Sequence, residues 1–238
     1  MSILNFFKKE TNEINEINKT NTISLEKHKV SLEKVAVNLS KTTNINFNSL
    51  KSRVKLALDY SGSMDWMYNN GKVQEVINRL LPLALKFDDD GEMECYLFSN
   101  GHKEIQPCNI NNYSNYINKV IKKSSFSMGG TQYASVLDTM RKKVKSDIPD
   151  FIIFITDGDN SDQTATDSVI RQMSTDNCFI MFVGIGNAKF SYLEKLDNLS
   201  GRKIDNTGFV KFSDISNVSD EELYTKFLSE YSNWLKIK

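Results

Sequence analysis

The predicted fold is decided by the stretch Val54-Lys55-Leu56-Ala57-Leu58-Asp59-Tyr60-Ser61-Gly62-Ser63. Its first half is mostly apolar and predicts a strand, and its second half is polar and predicts a loop at the carboxyl end of that strand. A later stretch has the same design, because Phe151-Ile152-Ile153-Phe154-Ile155 runs into Thr156-Asp157-Gly158-Asp159-Asn160. Strands that are apolar throughout are typical of a parallel sheet covered on both faces.

Strands and helices alternate along the chain on both sides of these two stretches. Further strands are predicted at residues 94–98, 102–105, 179–183 and 209–212. Helical spacing of apolar residues is found at 73–87, 113–123, 133–143, 164–174, 192–196 and 221–234, with Pro82 expected to kink or break the first of these helices. This order predicts an α/β fold of three layers, doubly wound, with helices on both faces of a mostly parallel sheet.

The first 50 residues differ in composition from the rest of the chain. Ser24-Leu25-Glu26-Lys27 recurs as Ser31-Leu32-Glu33-Lys34, and this step places Leu25, Leu32 and Leu39 on one helical stripe. We expect a helix to about Lys34, whereas 35–39 fits a helix or a strand. The flanking segments 10–22 and 42–52 are polar and linker-like. The chain is therefore divided into a flexible or helical appendage at 1–50 and a main domain at 51–238.

Composition and charge exclude several function classes. The chain has 238 residues, of which 30 are Lys or Arg and 30 are Asp or Glu, so its formal net charge is zero. This balance argues against a nucleic-acid partner, since phosphate binding needs a concentrated basic field. The N-terminus does not resemble a signal peptide, and no apolar run reaches the roughly 20 residues of a membrane helix. Three cysteines without a paired motif favour a cytoplasmic location.

Oxygen-bearing side chains follow both strands of the first paragraph. In an open parallel sheet, ligands bind at the carboxyl ends of the strands, where the strand order reverses. If the two strands are neighbours there, their loops meet the loop at 128–132, and together they offer Asp59, Ser61, Ser63, Thr131 and Asp157. These are hard oxygen donors without His or thiolate, which suits Mg²⁺, with Mn²⁺ or Ca²⁺ possible. We expect Gly62, Gly129 and Gly130 to permit the tight turn and the close approach of the loops.

The same three elements resemble the metal-ion-dependent adhesion site of von Willebrand factor A domains. Asp59 to Ser63 is similar to the DxSxS element of that family, Thr131 to its second-loop threonine, and Thr156-Asp157-Gly158 to its TDG element. The resemblance covers residues 53–234. It implies that Ser61 and Ser63 bind the metal directly, that Asp59 and Asp157 act mostly through waters, and that Thr131 binds directly or through water. One coordination position would stay open for an Asp or Glu carboxylate of a partner protein.

Within that family the sequence is most similar to TerF-type proteins of bacterial tellurium resistance. The likeness rests on the segments 56–64 and 80–91 and on the Ser-Leu-Glu-Lys repeats. It implies a stress-response role alongside other Ter proteins, which become candidate partners.

Other functions fit the same sequence less well. A haloacid dehalogenase-like phosphotransferase also places an Asp after its first strand, but it needs a second Asp where Ser61 stands, and no Lys, Arg or His lies in the three loops. We therefore expect no enzymatic activity. A subunit that works with an AAA+ ATPase remains an alternative within the binding class, and a secreted adhesin is disfavoured by the N-terminus and the cysteines.

A few nearby residues have weaker functional interpretations. Asp88-Asp89-Asp90 is assigned no metal, and the segment 157–162 is rejected as an EF-hand loop because Asp162 stands where glycine is required. Asp159 is a candidate outer-shell group. For Trp66 and Tyr68, two alternatives stay open: a place on the rim of the partner surface, or burial under the first helix of the main domain.

Overall fold

The computed structural model describes the backbone of residues 3–238 and the side chains of residues 22–238. The described residues form one six-stranded sheet, whose strands are β1 Arg53–Asp59, β2 Met93–Phe98, β3 His102–Cys108, β4 Asp150–Thr156, β5 Cys178–Ile185 and β6 Thr207–Phe212. Each predicted strand of the main domain is present, and the structure extends most of them by one to three residues at their ends.

The order of the strands across the sheet is β3-β2-β1-β4-β5-β6. All neighbours are parallel except β2 and β3, which form an antiparallel hairpin at one edge. The chain leaves β1 toward β2 on one side and returns to β4 on the other, so the strand order reverses between β1 and β4. Leu58 is paired with Ile155 across this junction, as the sequence predicts.

Helices cover both faces of the sheet and complete the predicted three-layer α/β fold. They are α1 Ile3–Thr43, α2 Asp65–Asn69, α3 Lys72–Phe87, α4 Tyr116–Lys119, α5 Ala134–Lys142, α6 Gln163–Met173, α7 Ser191–Asp197 and α8 Asp220–Ile237. Side chains of α1, α3 and α8 pack with Leu56 and Leu58 on one face. Side chains of α5, α6 and α7 pack with Ala57 on the other. This alternation along β1 places Asp59 on the same face as Ala57.

The N-terminal segment forms one long helix, and the strand alternative at 35–39 is wrong. Helix α1 continues to Thr43, and Leu25, Leu32, Val35 and Ala36 are buried in the core that α3 and α8 share. Burial of these side chains against the main domain explains why the segment is helical, since a strand at the same place would have no sheet edge to join. The predicted separability of residues 1–50 from residues 51–238 stays a prediction.

Two helices of the main domain differ from the sequence pattern. Helix α3 runs through Pro82 without a break, because its apolar stripe is buried on both sides of the proline, with Ile77 and Leu80 before it and Leu83 and Ala84 after it. The pattern at 113–123 forms only the single turn α4, flanked by 3-10 turns. Among the described residues, none of the helices combines the length and apolar character that crossing a bilayer requires.

Candidate metal centre

Asp59 ends β1 and is fully buried. Its Oδ1 accepts a hydrogen bond from the Ser61 amide at 2.8 Å, and its Oδ2 accepts one from the Thr156 hydroxyl at 2.6 Å. The hydroxyl of Tyr68 donates to the Asp59 carbonyl at 2.8 Å. The carboxylate is therefore fixed by Thr156 of β4 and by the loop after β1, while Tyr68 of α2 fixes the backbone carbonyl of the same residue.

Three oxygens extend from Asp59 toward solvent as a connected chain. Ser61 Oγ lies 3.0 Å from Ser63 Oγ, which donates to Asp157 Oδ1 at 2.9 Å. Ligands that occupy neighbouring corners of an octahedron around Mg²⁺, with bonds of 2.0–2.1 Å, lie about 2.9 Å apart. The spacing of these three oxygens is therefore compatible with shared coordination of one small divalent ion.

The loop that carries Thr131 lies between the loops after β1 and β4. The amide of Gly62 donates to the Gly129 carbonyl at 3.0 Å, and the amide of Ser161 donates to the Thr131 carbonyl at 2.9 Å. Thr131 itself is half-buried. The structure thus brings together the three loops that the sequence singles out, while the assignment of Asp59, Ser61, Ser63, Thr131 and Asp157 as metal ligands stays a prediction.

The electrostatics of the centre fit a bound cation. Burial raises the pKa of Asp59 to about 6, although hydrogen bonds from Thr156 and Ser61 oppose that rise. Burial also raises the pKa of Asp157, against the hydrogen bond from Ser63. Among the described residues, neither carboxylate forms an ion pair with Lys, Arg or His. A desolvated carboxylate without a counter-charge, surrounded by hard oxygens, is the environment that a divalent ion balances.

Glycine is required in the loop that carries Thr131, at Gly129 and Gly130, but not in the loop after β1, at Gly62. Gly62 has no positive φ, and a Cβ built there would be 3.9 Å from the Gly129 carbonyl, an ordinary contact. The expectation that Gly62 is needed for a tight turn is therefore wrong. At Gly129 and Gly130 a Cβ would lie 2.9 and 2.6 Å from side-chain atoms of Asn100. The expected close approach is therefore present, and the side chain that approaches the two glycines is that of Asn100.

Several residues that hold the centre were absent from the sequence prediction. The hydroxyl of Tyr133 donates to Thr156 Oγ1 at 3.1 Å, and Asn100 Oδ1 accepts from the Gly130 amide at 2.8 Å. Asp162, which the sequence singles out only because it excludes an EF-hand loop, accepts from the amides of Tyr133 and Ala134. These contacts join loops that are distant in sequence, so no local pattern announces them.

The remaining candidates are placed individually. Tyr68 is buried, as one of the two alternatives predicts, whereas Trp66 is 52% exposed and its place on a partner surface stays a prediction. Asp159 is exposed, and its Oδ1 accepts from the Tyr192 amide at 3.3 Å. The carboxylates of Asp88, Asp89 and Asp90 cluster, yet Asp88 and Asp90 accept hydrogen bonds from backbone amides of their own turn.

The comparison with protein families identifies the fold. A family model of the von Willebrand factor A domain found at the C terminus of TerF matches residues 51–238. The chain belongs to this TerF-like von Willebrand factor A family. YcbR, an uncharacterised protein of Bacillus subtilis (strain 168), is 37% identical over 221 residues, which are 90% of this chain and 87% of YcbR.

Solved structures share the von Willebrand factor A fold at low sequence identity. Proximal thread matrix protein 1 of the mussel byssus, solved with a zinc-occupied MIDAS motif, is 17% identical with a TM-score of 0.52, and the match covers 76% of this chain and 46% of that chain. The chain thus spans about half the length of the mussel protein. The manganese-loaded TRAP protein of Plasmodium vivax is 18% identical with a TM-score of 0.52, and the match covers 74% of each chain.

Proposed function

We propose that this chain is a non-catalytic protein-binding module that works through a divalent metal held at the carboxyl ends of β1 and β4. The observation that carries the proposal is the buried carboxylate of Asp59, which is partnered by a hydroxyl and an amide and continues into the oxygens of Ser61, Ser63 and Asp157. Such a buried anion is costly unless a cation balances it.

Mg²⁺ is the proposed ion, with Mn²⁺ and Ca²⁺ as alternatives, because every donor is a hard oxygen. Ser61 and Ser63 bind through their hydroxyls, Asp59 and Asp157 balance the charge, and Thr131 binds directly or through a water. The manganese-loaded TRAP protein and the zinc-occupied mussel protein support the choice of a divalent ion on this fold. The neutral hydroxyl ligands leave the bound ion electron-poor, so that its open position attracts an anionic oxygen.

The partner is a protein that presents an Asp or Glu side chain to this open position. The family match to the C terminus of TerF supports a place in bacterial tellurium resistance or a related stress response, with other Ter proteins as candidate partners. The absence of catalysis is supported by the two histidines. His28 contacts Ser24 and Asp220, and His102 contacts Ser135 and Thr139, so neither hydrogen bonds to the three loops.

Asp59 has a pKa suited to a general base, but its position speaks against that role. Both of its oxygens are occupied and its side chain is fully buried, so a substrate cannot reach it. Geometry comes before pKa in assigning a catalytic base.

Calorimetric titration with Mg²⁺ and Mn²⁺ tests the metal. We expect about one equivalent per chain and a higher melting temperature, since an ion that binds only the folded state stabilises it. Asp59→Ala and Ser61→Ala should lose this binding, whereas Ser168→Ala, which removes an exposed hydroxyl on α6, should retain it. Equal titrations in the wild type and in both site variants would place the metal elsewhere or nowhere.

Capture of a host protein from bacterial lysate tests the partner. Binding should vanish in EDTA, return with Mg²⁺, and weaken when the acidic residue of the captured protein is changed to its amide. Capture that continues unchanged in EDTA contradicts the metal-bridged mechanism. Turnover of a phosphate ester that Asp59→Asn abolishes contradicts the non-catalytic one.

A further inference from the structure

The start of helix α5 is capped by a residue from another loop. The first amides of a helix have no partner within it, and Tyr133, at the N-cap position, makes no side-chain cap of its own. Instead, Asp162 of the loop after β4 accepts from the Tyr133 amide with Oδ1 and from the Ala134 amide with Oδ2, both at 2.9 Å. One carboxylate thus binds two successive amides, which begin two residues after Thr131.

Asp162 is itself held in place by its own loop. The side-chain amide of Asn160, which is buried, donates to Asp162 Oδ1 at 2.6 Å and to the Thr166 hydroxyl at 2.8 Å. Between these two residues, the Ser161 amide donates to the Thr131 carbonyl at 2.9 Å and the Ser161 hydroxyl donates to it at 3.1 Å. The segment 160–162 therefore contacts the carbonyl of Thr131 and the amides of Tyr133 and Ala134 that follow it.

The opposite side of the Thr131 loop is fixed by the loop after β2. Gly130 donates its amide to Asn100 Oδ1 at 2.8 Å, and Gln132 donates its amide to the Ser99 carbonyl at 2.9 Å. With its neighbours on each side bound in this way, the backbone at Thr131 has little freedom, and the position from which its side chain starts is set by contacts outside the metal centre.

We propose that Asp162 is a positioning residue for the metal centre: it caps α5 from the loop that also carries Asp157 and thereby makes the Thr131 loop and the Asp157 loop one unit. This inference rests on the proposed function and deepens it. Asp162 does not touch the metal. Its role is to hold the Thr131 hydroxyl where the ion requires it, as residues behind metal ligands commonly do.

A purely structural cap is the alternative, and a double-mutant cycle separates the two. The variants are Asp162→Ala, Thr131→Ala and the double variant, each titrated with Mn²⁺ by calorimetry. If Asp162 acts through Thr131, the double variant binds Mn²⁺ no more weakly than the weaker single variant, because the hydroxyl is already lost. We expect a loss of about tenfold for Asp162→Ala, typical of residues behind a metal ligand.

Two further variants control for lost capping. Ser219 caps α8 by accepting from the Glu222 amide at 3.1 Å, so Ser219→Ala removes a cap away from the centre and should leave Mn²⁺ affinity unchanged. Asp162→Asn keeps one side-chain oxygen and should recover part of the affinity. Hydrogen exchange of the metal-free proteins should be faster at the Tyr133 and Ala134 amides in both variants that carry Asp162→Ala, and unchanged there in Thr131→Ala and Ser219→Ala.

The outcomes separate this inference from the proposed function. A wild-type chain that binds no Mn²⁺ overturns the proposed function. A wild-type chain that binds Mn²⁺ while Asp162→Ala binds it equally well, or while the losses of Asp162→Ala and Thr131→Ala simply add, overturns the positioning role and leaves the metal centre standing. Unchanged exchange at Tyr133 and Ala134 in Asp162→Ala also overturns it.

Discussion

Strands β1 and β4 carry buried charge at both of their ends, and the two ends differ in how that charge is balanced. At the amino ends, Lys55 Nζ lies 2.6 Å from Asp150 Oδ2, and both residues are fully buried. At the carboxyl ends, Asp59 is equally buried on the same face of β1, but its partners are the Thr156 hydroxyl and the Ser61 amide.

The difference is between a balanced and an unbalanced buried charge. The amino-end pair is neutral by itself, and two further charges lie near it, since Arg53 is 3.6 Å from Asp150 and Glu94 is 3.7 Å from Lys55. The carboxyl-end anion has no such partner among the described residues. Unbalanced buried charges are expensive and tend to occur where a protein binds or reacts. We therefore assign the amino end to stability, and the unbalanced charge at the carboxyl end supports the proposed binding role.

The largest expected effect comes from breaking the amino-end pair. Lys55→Met leaves Asp150 buried with only the more distant Arg53, and removal of one partner of a buried ion pair typically costs about 3–5 kcal/mol. Urea denaturation should show this loss, while Mn²⁺ affinity of the folded variant stays at the wild-type value. The double variant Lys55→Met/Asp150→Leu should recover much of the stability. A loss below about 1 kcal/mol would contradict the structural role.

The second effect is a pH dependence that belongs to the carboxyl end. The pKa of Asp59 is raised to about 6 in the folded chain from its ordinary 3.8, so the unfolded chain loses the proton first as pH rises. Metal-free stability should therefore fall between about pH 4 and pH 6, by about 3 kcal/mol when the shift is converted at 1.36 kcal/mol per unit. Urea midpoints at pH 4 and pH 7 measure it.

The control for this pH dependence is Asp59→Asn, which cannot ionise. Asp88 and Asp197 also have pKa values raised to about 6. Both residues are present in the wild type and in Asp59→Asn, so their effects on stability cancel when the two proteins are compared. Saturating Mg²⁺ should oppose the fall in the wild type only, because the ion favours ionised Asp59. If stability depended on pH identically in the wild type and in Asp59→Asn, Asp59 would not be the buried anion that the centre must balance.

The sequence predicts the fold well because its signals are local. Apolar strands and helical stripes identify themselves by periodicity, and the meeting of loops at the carboxyl ends follows from parallel pairing. Helix α1 is harder, since its continuation to Thr43 depends on contact with α3 and α8. Lys55 stands inside the stretch that decides the fold, yet its partner Asp150 lies on another strand, and only the register reveals the pair.

The candidate site divides in the same way. Asp59, Ser61, Ser63, Thr131 and Asp157 follow from motifs at strand ends. The residues that hold them, including Asn100 and Asp162, act on backbone amides of other loops, and such contacts leave no periodic trace in a sequence. Asp162 stands where an EF-hand loop requires glycine, and nothing in that spacing indicates that its partners are the amides of Tyr133 and Ala134 at the start of α5.

The smallest expected effects concern the glycines of the carboxyl end. Gly62→Ala should change stability by less than about 0.5 kcal/mol, since surface substitutions without strain stay within that range. Its Cβ meets only the Gly129 carbonyl at 3.9 Å. Gly130→Ala places a Cβ 2.6 Å from Asn100 Oδ1, so Asn100 must move and release the Gly130 amide. Mn²⁺ affinity should therefore fall in Gly130→Ala and remain unchanged in Gly62→Ala.

Asn100→Ala separates the clash from the lost hydrogen bond: if the bond matters, Asn100→Ala alone weakens Mn²⁺ binding as much as Gly130→Ala does. Should Gly62→Ala be the more damaging of the two glycine variants, the carboxyl end would depend on the flexibility of the β1 loop rather than on the close packing of the Thr131 loop.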